Sequence, residues 1–175
     1  YGNTHTVDTT NNGAKNLTLG GRLDVNSGII GVGDRGTNGA GATNSIRMGT
    51  GTTLDEANKV ANSISIGVDT GASAVGSTAI GANAKARADY SVALGDSAVS
   101  GDNTVGAVNG GGGAIAIGRQ SMANNYNAIA IGMSASVSPA AGVTTASDGI
   151  AIGSETVVDN YKGIAVGAYS QAKGR

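Results

Sequence analysis

The chain contains no cysteine, phenylalanine or tryptophan, and only one proline and one histidine in 175 residues. Without cysteine there are no disulfides and no thiolate metal sites. Without bulky aromatics a conventional globular core is out of reach. The lone His5 lies in a polar N-terminal stretch, so neither a Ser/His/Asp constellation nor a histidine-based metal site can be assembled within one chain. Charge is sparse and interspersed, with a formal net value of −1, which excludes a nucleic-acid footprint. There is no secretory h-region at the start, no apolar run long enough to span a bilayer and no heptad run.

Glycine is abundant, at 31 residues, and it keeps time. Ala114-Ile115-Ala116-Ile117-Gly118 returns as Ala128-Ile129-Ala130-Ile131-Gly132, as Gly149-Ile150-Ala151-Ile152-Gly153 and as Gly163-Ile164-Ala165-Val166-Gly167. The motif glycines run Gly67, Gly81, Gly95, Gly118, Gly132, Gly153, Gly167, with gaps of 14, 14, 23, 14, 21 and 14. Looser copies end at Gly20, Gly33 and Gly49. A fixed period of this kind is the signature of a solenoid, in which each repeat buries its apolar face against its neighbours.

Counting from each motif glycine, positions −3 and −1 are large aliphatics, as in Ile129 and Ile131, with Thr78 the exception. Position −2 is small, nearly always alanine. This alternation reads as a strand. Positions +3 and +5 are again small or β-branched, as in Ala84 and Ala86, and suggest a second short strand. The expectation is an all-β parallel roll with 14-residue coils and two strands per coil. Aliphatics would fill a narrow core and the −2 column would lie on the opposite face. Ten coils would rise about 45 Å. Residues 1–59 are expected to form irregular N-terminal coils that cap the roll, and residues 60–175 the regular repeats.

Three stretches break the period. Thr53-Leu54-Asp55-Glu56 has capping-box spacing and suggests one inserted helical turn. Longer insertions fall near 100–113, ending in Gly110 to Gly113, and near 138–148. Insertions in solenoids project as loops from one face, where binding often happens.

Little here suggests chemistry. Gly31-Val32-Gly33-Asp34-Arg35-Gly36 matches a dinucleotide string, but no amphipathic helix follows it. Gly110 to Gly113 lacks the aspartates of a calcium-binding roll. Asp34, Asp89, Asp96, Asp102 and Asp159 read as turn residues rather than paired catalytic carboxylates. No cofactor and no metal is expected. Lys85, Arg87, Arg119, Lys162 and Lys173 recur at related offsets and read either as solvated faces or as a weak polyanion-facing stripe. Tyr90, Tyr126 and Tyr161 stand five or six residues before a motif glycine, as turn-packing rings or as exposed anchors for a protein ligand.

The repeated string, clearest in Ser91-Val92-Ala93-Leu94-Gly95-Asp96-Ser97-Ala98 and Ala128-Ile129-Ala130-Ile131-Gly132-Met133-Ser134-Ala135, resembles the YadA-like head of trimeric autotransporter adhesins. That resemblance covers about residues 60–175 well and 16–59 loosely. It implies a left-handed parallel β-roll assembled as a homotrimer on the surface of a Gram-negative bacterium. It further implies attachment to host matrix proteins such as collagen, fibronectin or laminin, or to host cell receptors. The small column Ala79, Ala93, Ala116, Ala130, Ala151 and Ala165 would then form the trimer interface, with Arg47 and Ser65 departing from it. The family's neck, coiled-coil stalk and membrane-anchoring barrel are not in this sequence, so the chain reads as an isolated head, tied to a membrane only through that absent C-terminal anchor. Ligand contacts are expected at Arg119, Tyr126 and Lys162 on the coils and at Asn109 and Val143 in the insertions. Two rival solenoids are an acyltransferase β-helix, which needs a hexapeptide repeat and a catalytic histidine, and an ice-binding roll, which needs flat ranks of threonine. The chain has neither set of features.

Overall fold

The computed structural model describes residues 46–49, 53–54, 62–101, 112–138 and 148–173. The chain divides into two compact units, Tyr1–Gly31 and Val32–Arg175, and all the described residues belong to the second. His5, the Gly31 to Gly36 string, Asn109, Val143 and most of the expected N-terminal cap lie outside the described residues.

Sixteen short strands and no helix are found among the described residues: β1 (Ile46–Met48), β2 (Thr53–Leu54), β3 (Ile64–Ile66), β4 (Gly71–Ala72), β5 (Thr78–Ile80), β6 (Lys85–Ala86), β7 (Val92–Leu94), β8 (Val99–Ser100), β9 (Ile115–Ile117), β10 (Met122–Ala123), β11 (Ile129–Ile131), β12 (Ser136–Val137), β13 (Ile150–Ile152), β14 (Val157–Val158), β15 (Ile164–Val166) and β16 (Gln171–Ala172). The odd-numbered strands make one parallel sheet and the even-numbered strands another, each in strict sequential order. Consecutive coils therefore stack directly, and pairing follows the motif. Ile115 lies beside Ile129 and Ala116 beside Ala130, while across the insertions Val92 still meets Ile115 and Ile129 meets Ile150. Most of the helical turn expected from Thr53 onward lies outside the described residues. Thr53 and Leu54 themselves pair with Gly71 and Ala72 as the edge of the second sheet, because the repeat's second strand falls at that offset.

The interior reverses one expectation. In the three-residue strands the middle residue is buried and its neighbours are only partly covered. Ala79, Ala93, Ala116, Ala130 and Ala151 are fully buried inside the single chain, and Ala165 nearly so. The alanine column is thus roll interior and cannot be an interface between chains, while the aliphatics at −3 and −1 point outward. Parity explains this. Position −4 is also small, as Ser63, Ser77, Ser91, Ala114 and Ala128, and these residues are buried with the −2 column. The second sheet contributes Ala84, Ala86, Ala98, Ala123, Ala135, Val137 and Val158 from the opposite wall. Both walls are lined by tiny side chains, so they approach closely and no room is left for isoleucine between them.

Buried hydroxyls in so thin a core must find partners. Ser65 Oγ donates to Thr70 Oγ1 at 3.1 Å, Ser100 Oγ to Ser91 Oγ at 3.1 Å, Ser77 Oγ to the Ala74 carbonyl at 2.6 Å and Ser121 Oγ to the Gly118 carbonyl at 2.9 Å. Ser65, a departure from the alanine column, is accommodated as an interior hydroxyl in this way.

Each coil turns two corners. At the first, the motif glycine has φ between 112° and 138°. A Cβ on Gly118 would stand 2.5 Å from the Gly132 carbonyl oxygen of the next coil. At the second, a left-handed residue precedes the next long strand, as Tyr90, Asn127, Asp148 and Lys162 show. The backbone ladder continues through both corners: Gly132 N–H donates to the Ile117 carbonyl at 2.8 Å, Ser134 N–H to Arg119 at 2.9 Å, and Asn127 N–H to Gly112 at 3.0 Å.

Candidate functional site: an aliphatic face and an insertion corner

Two surfaces stand out from the solvated remainder. The first is the outer face of the long-strand sheet. Two columns of aliphatic side chains run up it in register, one through Ile64, Val92, Ile115, Ile129 and Ile150, the other through Ile66, Ile80, Leu94, Ile117 and Ile131. Within one chain each of them is only partly covered. At the last coil Ile164 and Val166 each reach 65% exposure. A contiguous apolar surface of this kind is the sort that proteins use for association.

The second surface is the corner between the short strand and the next long strand. Among the described residues the chain leaves the repeat here at each break: after Leu54, after Gly101 and after Ser138, returning at Asn62, Gly112 and Asp148. Among the described residues none opens at the glycine corner, where the close stacking of successive glycines leaves no room. Three tight copies of the same corner carry Tyr90, Tyr126 and Tyr161, all exposed. Tyr90 lies over Gly76 and Tyr126 over Gly112, each ring reaching toward the preceding coil, where a glycine leaves space. Lys162 Nζ sits 5.0 Å from the Tyr161 ring centroid, within cation–π range. Asn127 Nδ2 donates to Asp148 Oδ1 at 3.1 Å, tying the Tyr126 corner to the chain where it re-enters after the second insertion.

Of the residues expected to contact a ligand, Tyr126 and Lys162 share this corner on different coils. Arg119 does not join them. It follows the motif glycine at the opposite corner, where its guanidinium faces Met133 Sδ at 3.3 Å. The basic residues form no single stripe either. Lys85 projects from the short-strand sheet and bonds the Asp69 carbonyl, while Arg119 and Lys162 occupy opposite corners. The gathering of all three insertions at one corner is the feature sequence reading missed. It was countable, since each break falls after position +5 or +6 of its repeat. Among the described residues no group of His, Cys, Asp or Glu could hold a metal ion.

These features define a class: a parallel β-solenoid with a core of small residues, an outward-facing aliphatic sheet and a corner that differs in length from coil to coil. Residues 61–84, 72–98 and 110–135 match the YadA head domain repeat (2 copies). The chain therefore contains a YadA-like head domain, of the kind carried by trimeric autotransporter adhesins. That family is one of surface-exposed adhesins and not of enzymes. No curated protein matches the chain.

Proposed function

We propose that this domain is the head of a bacterial surface adhesin, exposed outside the outer membrane of a Gram-negative cell. It works without catalysis, as a homotrimer of left-handed rolls. The observation that carries this reading is the aliphatic face. The chain turns its largest apolar side chains away from its own core, an arrangement that makes sense when a second and third copy cover them. The head repeats support the same assembly. The trimer interface then consists of the Ile, Val and Leu columns at −3 and −1.

With that face closed, the insertion corner and the short-strand sheet remain for a partner. The proposed ligands are host matrix proteins, such as collagen, fibronectin or laminin, or host cell receptors. Tyr126 and Lys162 are the proposed contacts on the coils, with Asn109 and Val143 contributed by the insertions and Arg119 acting from the separate glycine corner. Three copies per head and many heads per cell raise avidity without a deep pocket. The test is solution mass by light scattering together with binding of the purified head to immobilised matrix proteins. A mass of three chains with saturable binding is expected. A folded monomer, or a trimer that binds none of these proteins or cells, overturns the corresponding half of the proposal.

A further inference from the structure

Among the described residues the aliphatic face has one break. Every other outward position of the long strands is Ile, Val, Leu or Met, but Thr78 presents a hydroxyl. Its neighbours on that face are apolar: Ile64 on one adjoining strand, Val92 on the other, and Ile80 further along its own strand. Among the described residues the hydroxyl takes no hydrogen-bond partner, unlike the buried serines and threonines of the interior. In a lone roll, water serves it. Once the face is covered, water is excluded and an isolated hydroxyl becomes costly.

We infer that Thr78 sets the register of the assembled chains. Threefold symmetry brings the three Thr78 side chains to one level around the axis, where each hydroxyl donates to the next and accepts from the previous one. A slip of one chain by a single coil replaces a hydroxyl partner with Ile64 or Val92 and strands the remaining group in an apolar layer. The columns of isoleucine are nearly identical from coil to coil and specify level poorly, so a single polar layer supplies what they lack, as a lone polar residue does in a coiled-coil seam. This inference rests on the trimer proposed above.

The experiment mixes the full chain with a Thr78→Val chain of different tag mass, unfolds and refolds them together, and counts trimers by native mass spectrometry. Thr78→Val preserves shape and each chain is expected to form its own trimer. Mixed trimers holding a single threonine chain are expected to be depleted about tenfold against the binomial proportion, the effect of one unpaired buried hydroxyl. A Thr78→Ser chain keeps the hydroxyl and is expected to mix freely with the wild type. Binomial mixing of the valine chain, or sorting of the serine chain, overturns the role of Thr78 while leaving the trimer standing. A wild-type chain that stays monomeric overturns the trimer and this inference with it.

Discussion

At the scale of single residues, the roll depends on what is small. Gly118 combines φ of 125° with a next-coil carbonyl 2.5 Å from where its Cβ would stand. Gly118→Ala is therefore expected to cost about 1–3 kcal/mol from backbone strain alone, read as a lowered denaturation midpoint by circular dichroism. Ala130 is fully buried between two walls of small residues. Ala130→Val is expected to destabilise by about 1–3 kcal/mol through overpacking, although valine is the better strand former. An unchanged or raised midpoint for Ala130→Val would show that the interior has slack. The left-handed positions are a different case. They are filled by Asn83, Tyr90, Gln120, Glu155 and Lys162 among others, so no one residue type announces them in sequence.

At the scale of strands, alternation revealed the elements but not their orientation. The long strand at −3 to −1 and the short strand at +4 and +5 were both legible, and so was the inward direction of +3 and +5. The direction of the long strand was not, because period two defines two faces without saying which one is inside. The usual rule puts Ile129 and Ile131 in the core and Ala130 outside, and here it inverts, since the chain's own core is too thin for isoleucine. The deciding signal was position −4, where Ser77, Ser91 and Ala128 share parity with −2 and cannot belong to an apolar outer face. Ile131→Asp follows from the corrected orientation. It is expected to leave the β spectrum of the roll intact while reducing the solution mass to that of one chain. Loss of the spectrum along with the mass would mean that the roll does not fold unless its face is covered.

At the scale of the whole domain, the corner that keeps the tight glycine stacking and the corner where the period breaks have different constraints, and the proposed binding surface belongs to the second. Shortening both insertions to the tight form seen at Asn125–Asn127 is expected to preserve fold and solution mass and to weaken attachment to host matrix. Unchanged attachment would remove the insertions from the binding surface. The continuous ladder through both corners has a mechanical meaning as well. Its hydrogen bonds lie along the stacking direction, so a pull on the roll in that direction strains an entire ring of bonds at each coil boundary simultaneously. Peeling from a free edge meets them a few at a time. A stack held by this ladder resists a steady pull along its length far better than it resists unpicking from an exposed strand edge, so any edge left without a neighbouring coil is the place where the roll yields first.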